Sequence, residues 1–473
     1  MTATADGPAD PARVLAGRGY HVLLLAAAAL GAPVALVAFG FLALVTVLED
    51  AVWETLPHAL GQQEPSAWYA VLVVGVAGLL VGLVVARLPG RGGHIPVEGL
   101  GGGPPRIVDL PGLLLAALAS LALGTVVGPE APLTALGGGL VVLAVRRTPL
   151  GRSPSGTTVL AAAGSAAALG PVFGNPLIAA ILMLEIVGLS GSGVLLVLLP
   201  CLLSAGIGGL LFTGLGSWTG IAVPSLTIPG LPAAAVSWPA LLWTVPIAVL
   251  AALAAQLPRR LGRRSAALTA RSTILATTVA GLVVGGCGAA YHLLTGRSVL
   301  EVLQSGEKAL VALVGAPHAW PIVALVLLLA AKGLAYGVSL GAFRGGPTFP
   351  AVFLGAALGV LVSPLPGLGT TAGIAIGMTA ATTAVLRLPV TSVILVVLLL
   401  GAGGTDQVPV IMVAAAIAMV TAVVLDGRRP DPGKDSADHP AEDPADHPAD
   451  HPAEDPADHP AEGTAAGPDD RPS

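Results

Sequence analysis

Twice in this chain an apolar stretch is broken by the same frame of glycine and proline. Gly128-Pro129-Glu130-Ala131-Pro132 precedes the helical pattern Leu133 to Gly137, and Gly346-Pro347-Thr348-Phe349-Pro350 precedes Ala351 to Gly355. Both read G-x-x-x-P with a further glycine five residues on. Lipid offers backbone N–H and C=O groups no partner, so broken backbone at membrane depth must be buried in protein or line a polar cavity. Glu130 tightens the constraint, because a carboxylate at that depth costs roughly 3 kcal/mol unless it faces such a cavity. Two interrupted segments at corresponding places in two halves of a chain point to a transport site between them.

Composition supports membrane depth. Of 473 residues 54% are hydrophobic and only 10% charged, and the mean hydropathy is +0.86. Such a chain is an all-α polytopic membrane protein and not a soluble enzyme. Aromatics make up 4% while there are 63 glycines, so the helices can approach one another closely. Cys201 and Cys287 each lie in apolar runs and read as buried thiols, with neither a disulfide nor a metal site expected. No CxxC or His-rich spacing occurs in the membrane part, and no cofactor, metal or nucleic-acid partner is expected. The stretch Gly99 to Gly103 lacks the G-x-x-x-x-G-K-[ST] pattern of a phosphate loop.

Four regions follow. Residues 1–20 are a polar cytoplasmic segment, and the apolar run that starts near His21 is too long for a cleaved signal. Residues 21–214 form a first membrane repeat and 215–426 a second. Apolar runs give about a dozen helical segments, among them 109–125, 130–145, 156–188, 238–256, 349–364 and 389–402. Several are too short to span about 30 Å at 1.5 Å per residue, as re-entrant helices would be. The repeat recurs downstream as P-x-x-x-x-I-L, in Pro176 to Leu182 and again in Pro389 to Leu395. Residues 427–473 hold 13 acidic and 4 basic residues, net −9, which leaves 18 basic and 14 acidic in the remainder, net +4. That tail, with His439, His447, His451 and His459, reads as a disordered, solvated acidic segment. Arg259, Arg260, Arg263, Arg264 and Arg271, together with Arg13 and Arg18, mark the cytoplasmic side.

The broken segments suit an anion. A helix N-terminus presents unpaired N–H groups and about half a positive charge. Pro129 and Pro347 stand where proline opens a helix at no cost in hydrogen bonds. Two such ends meeting at mid-membrane make a dehydrated anion site, and Glu130 at one of them is placed to occupy it until protonation releases it. The plainer role for Glu130 is a cap on its own helix. Gly92-Gly93-His94-Ile95-Pro96 is a third loop that resembles a helix start, although a cytoplasmic turn explains it as well. Lys332 lies within the apolar run before the second broken segment, as an attractive charge, a snorkelling side chain or a partner of Glu185.

At these residues the chain resembles the CLC family of chloride channels and proton-coupled chloride transporters. The family's motifs G-S-G-I-P, G-[RK]-E-G-P and G-x-F-x-P match residues 92–96, 128–132 and 346–350, in that order. Further matches are Phe173 to Leu177 leading to Glu185, and Arg387 to Thr391. The resemblance covers about residues 22 to 425. It implies an inverted-topology repeat with broken and re-entrant helices, and a homodimer whose subunits each hold a pore. It implies Glu130 as the gate, with Gly128, Pro129, Ala131, Gly346, Pro347, Thr348, Phe349, Gly93 and His94 around the anion.

The departures narrow the expectation. Pro347 has no N–H where the family uses one, leaving the Thr348 hydroxyl as a replacement. Pro129 stands in place of a basic residue, Gly93 in place of a serine, and the family's last tyrosine has no counterpart. Ile186 occupies the position of the family's proton-carrying glutamate, with Glu185 beside it as the possible proton path. The expected function is an anion channel or uncoupled carrier in the cell membrane, with chloride the default ion. The alternatives are proton-coupled exchange of chloride or fluoride, and an organic-solute transporter on another inverted-repeat fold.

Overall fold

The computed structural model describes residues 11–100, 103–188, 193–220, 228, 231 and 233–427. The acidic tail and its four histidines lie outside them, as do residues 1–10. The chain through Asp426 is one compact unit, and among the described residues it is helical, with no strand beyond a single bridged residue pair.

The first half runs through α1 (Arg18–Asp50), α2 (Ala67–Arg87), α3 (Leu110–Ala122), α4 (Glu130–Val145), α5 (Pro154–Leu169), α6 (Pro176–Val187) and α7 (Gly193–Thr219). The second runs through α8 (Trp238–Arg271), α9 (Thr273–Thr295), α10 (Glu307–Gly315), α11 (Ile322–Ala342), α12 (Thr348–Val362), α13 (Thr370–Leu386), α14 (Pro389–Leu400) and α15 (Val408–Gly427). Seven described helices are long and apolar enough to cross a membrane, and six more apolar helices fall between 10 and 17 residues. The protein is a multi-pass membrane protein, and its short helices fall below the length that spans a bilayer.

Two expected segments come out differently, and one helix falls outside the expected runs. The run 156–188 is not one helix: Gly174, at φ +70°, turns the chain, and the Asn175 side chain caps the Leu177 N–H at 2.9 Å to start α6. The run 238–256 continues as α8 to Arg271, because its basic C-terminal half is still a good helix former. The nine-residue α10 lies in no expected run, because Glu307 and Lys308 in its first turn interrupt the apolar pattern. The division expected at 214/215 falls within α7, which continues to Thr219.

Association within a bilayer draws on close packing, since lipid is as apolar as leucine. The two halves use it alike. Helix α4 lies against α5 through Gly137 and Gly164, and α12 against α13 through Gly355 and Gly377. At the centre α2 meets α9 through Gly78, Gly82, Gly281 and Gly285. Cys201 and Cys287 are buried free thiols.

A methyl group at Gly355 would stand 2.5 Å from Gly377 O and 2.7 Å from Met378 Cα. Gly355→Ala is therefore expected to cost about 1–3 kcal/mol through overpacking. Gly286→Ala, where a Cβ meets nothing within 4 Å, is expected to leave stability unchanged or slightly raised. Thermal unfolding of the detergent-solubilised variants compares the two.

Candidate functional site

The two broken segments meet back to back. Gly128 N–H donates to Gly346 O at 2.8 Å and Gly346 N–H to Gly128 O at 2.5 Å. That reciprocal pair is the hydrogen-bonded unit of an antiparallel ladder, and such a unit has local two-fold symmetry. The flanks repeat it. Ser339 on α11 accepts from the Val126 N–H at 3.2 Å, and Ser120 on α3 accepts from the Arg344 N–H at 3.1 Å. Each half thus supplies the serine that satisfies the other half's broken backbone. The prolines that open the helices adopt nearly one conformation, φ −81° and ψ −2° at Pro129, φ −87° and ψ −8° at Pro347.

Glu130 begins α4 yet its side chain belongs to α12. It is fully buried, and its Oε1 accepts from the Phe349 N–H at 2.9 Å. Its Oε2 and the Thr348 hydroxyl are both buried without a well-aligned hydrogen-bond partner. A Cβ at either Gly128 or Gly346 would overlap Oε2, so only two glycines leave the carboxylate room to lie across the bridge. Glu130 stands in the first turn of α4 and accepts from the first turn of α12, so the N-termini of both helices bear on its carboxylate. The Phe349 ring stacks on Phe173 at 5.8 Å and 17°. The Tyr336 hydroxyl donates to Pro347 O at 2.7 Å. Gly128, Pro129, Glu130, Ala131, Gly346, Pro347, Thr348 and Phe349 thus form one cluster.

Gly93 and His94 share a cavity with Ala131 of this cluster. Their loop turns through Gly90, Arg91, Gly92 and Gly93, all at positive φ, and Pro96–Glu98 is a single short 3-10 turn. The loop therefore offers no extended helix N-terminus at the described residues. With Ala131 and Ile186, both residues line a cavity of about 320 Å³ in which His94 is the only titratable lining side chain among the described residues. His94 Nδ1 stands 3.3 Å from Glu98, and its Nε2 is buried without a partner.

Glu185 lies elsewhere, at the N-terminus of α14. One carboxylate oxygen accepts from the Val390 N–H at 3.1 Å, the other from the Thr391 N–H and hydroxyl at 2.8 and 2.6 Å. That is the geometry of an N-cap supplied by a neighbouring helix. Lys332 neither snorkels nor pairs with Glu185. Fully buried, its Nζ lies 3.0 to 3.4 Å from the carbonyls of Glu301, Val302, Leu303 and Gln304 and 4.7 Å from the centre of the Phe353 ring. An unwound turn ending in four free carbonyls collects the cation.

Reading the residues alone missed Ser120, Ser339, Tyr336 and Arg344. The first three carry no motif. Arg344 carried a signal, as a cation two residues before Gly346 in an apolar setting.

Residues 78–423 match the family model described as "Voltage gated chloride channel". The ion-transport protein YfeO of Salmonella schwarzengrund (strain CVM19633), so named, is 28% identical over 346 residues, covering 73% of this chain and 81% of that protein. YfeO of Escherichia fergusonii is 28% identical over 347 residues, covering 73% and 80%. Among solved structures, a slow cyanobacterial Cl−/H+ antiporter superposes with a TM-score of 0.66 at 19% identity, covering 86% of this chain and 95% of that one. A CLC-type fluoride/proton antiporter gives 0.64 at 17% identity, covering 85% and 95%. Likeness at that identity establishes the fold.

Glu185→Ala removes the cap of α14 and is expected to cost about 1–2 kcal/mol, with Glu185→Gln retaining part of it. Thermal unfolding measures both, and equal stability of wild type and Glu185→Ala would remove the capping role.

Proposed function

The chain belongs to the voltage-gated chloride channel family, and on that footing we propose that it carries a small anion, chloride by default, without proton coupling and under the control of Glu130. One observation carries the reading: the Glu130 carboxylate sits against the Phe349 N–H at the start of α12, 2.9 Å away and fully buried. A carboxylate is an anion on a tether. A free anion at the same amides must displace it, and two negative charges cannot share one helix end. With Glu130 ionised and seated, the path is closed. Protonation, which releases the side chain, frees the amides for a permeant ion. Pro347 contributes no N–H, so Thr348 supplies the remaining donors through its amide and hydroxyl.

Ile186 supports the uncoupled reading. It lines the cavity that runs from Ala131 past His94, and none of the lining residues there is a carboxylate. The Glu185 oxygens are engaged by α14, so we assign that residue to capping in preference to a proton path. Proton-coupled exchange of chloride or fluoride is the second reading, favoured by His94 alone, whose Nε2 is buried and unpaired beside the same cavity. Assembly as a homodimer, each subunit with its own path, is part of the proposal.

Purified protein in liposomes tests the proposal, with chloride, fluoride and nitrate compared with and without a pH gradient. Wild-type flux is expected to rise as pH falls, because protonation unseats Glu130. Glu130→Gln is expected to conduct several-fold faster at neutral pH and to lose the pH dependence. Tyr336 and Glu307 lie within electrostatic range of Glu130, and the glutamine variant separates its titration from theirs. Absence of anion flux from both proteins would end the reading. Proton movement driven by a chloride gradient would transfer it to the exchanger.

A further inference from the structure

We propose that a hollow between α8, α11, α12 and α13 binds an anionic phospholipid of the cytoplasmic leaflet, with one acyl tail in the hollow and the headgroup phosphate on Arg387 and Arg259. The inference does not depend on which ion the protein carries. The hollow holds about 230 Å³ and is walled by small and aliphatic side chains, among them Ala254, Gly333, Ala351 and Leu354. None of its lining residues is charged, and Tyr336 alone brings a polar side-chain group. Two of the lining residues, Leu257 on α8 and Leu334 on α11, are 59% and 41% exposed. The hollow therefore opens outward between those helices, onto hydrocarbon in a membrane chain.

Charge along the two flanking helices sets the depth of the opening. Helix α8 is uncharged as far as Pro258 and then carries Arg259, Arg260, Arg263 and Arg264. Helix α13 is uncharged throughout and is followed at once by Arg387. The last lining residues on these helices are Pro258 and Val385, one and two positions short of the first cations. An apolar wall that gives way to arginines is the profile of the boundary between acyl tails and headgroups. The positive-inside rule puts this boundary on the cytoplasmic side, where arginines attract anionic lipid.

The cationic end is held but not satisfied. Arg387 closes α13 at φ +63°, and its Nη2 donates to Ala422 O at 2.8 Å and to Asp426 Oδ2 at 2.6 Å, which ties α13 to α15. Its Nε and Nη1 are buried without an acceptor. Arg259 Nη1 donates to the same Asp426 oxygen at 3.1 Å, and Arg263 lies within electrostatic range of Arg387. Three cations thus stand against one carboxylate, an excess that a phosphate offsets through charge-assisted hydrogen bonds. Asp426 Oδ1 is unpaired as well, an acceptor for the hydroxyl of a glycerol headgroup. The site also adjoins the Glu130 cluster. Tyr336 donates its hydroxyl to Pro347 O at 2.7 Å, so a tail in the hollow packs against a residue that holds the start of α12.

Native mass spectrometry of the full detergent-solubilised protein tests the site, with phosphatidylglycerol, phosphatidylcholine and glycerol phosphate offered separately. Phosphatidylglycerol is expected to bind about tenfold more tightly than phosphatidylcholine, and glycerol phosphate, which has no tail, not at all. Arg387→Met is expected to bring the two lipids close to equality. Because Arg387 also ties α13 to α15, Gly333→Leu serves as the second variant. A Cβ at residue 333 meets nothing within 4 Å, so the new side chain fills the hollow without displacing a neighbour, and it is expected to weaken phosphatidylglycerol on the order of tenfold. Equal binding of both lipids by wild type, or unchanged phosphatidylglycerol binding in Gly333→Leu, would overturn the inference. Glycerol phosphate binding as tightly as the lipid would overturn it too, by giving the arginines to a free phosphate. The readout is binding and not flux, so failure of the transport reading would leave this result standing.

Discussion

Everything in this protein hangs on two backbone hydrogen bonds between Gly128 and Gly346. Inside a bilayer an interrupted helix exposes amides and carbonyls that lipid cannot satisfy, at several kcal/mol for each unpaired group. Two interruptions solve the problem jointly, because each is the other's partner. The serines at 120 and 339 extend the exchange by one residue pair. Neither half can complete its own broken segment, so the site exists only where the two halves meet.

The amides left over after that exchange are the ones that matter for function. That of Phe349 is turned from the bridge toward the Glu130 carboxylate, which accepts from it at 2.9 Å. The carboxylate removes the cost of empty, positively polarised amides while blocking what would replace it. On the proposed reading, a gate and a stabilising cap are one side chain in one position. The two glycines beneath Oε2 are as necessary as the acid, since a methyl group on either would push the carboxylate away. Charge elsewhere is handled differently: Lys332 is spent on four carbonyls and Glu185 on the α14 amides, whereas Arg344 keeps an N–H in reserve.

How far the residues alone reach follows from range. The G-x-x-x-P frames, the prolines at both helix starts and the depth of Glu130 were legible because each is local in the chain. The second-half frame at Pro389 also marks a real helix start, that of α14. Long-range pairings were not legible. Nothing near Glu185 announces that Val390 and Thr391, some two hundred residues on, supply its partners. Lys332 likewise gave no hint of the loop at 301–304. The break at Gly174 was hidden because alanine-rich and leucine-rich segments on either side read as one apolar run. Arg344 was visible but carried no frame, and its backbone tie to Ser120 of the other half is again long-range.

If Glu130 and a permeant anion compete for the same amides, binding one must release the other, and the release is a proton event. Adding chloride to the detergent-solubilised protein in weak buffer should then draw protons from solution as the displaced carboxylate protonates. The account requires measurable proton uptake in wild type and none in Glu130→Gln at equal chloride occupancy. Chloride binding without proton uptake in wild type, or with equal uptake in the variant, would contradict it.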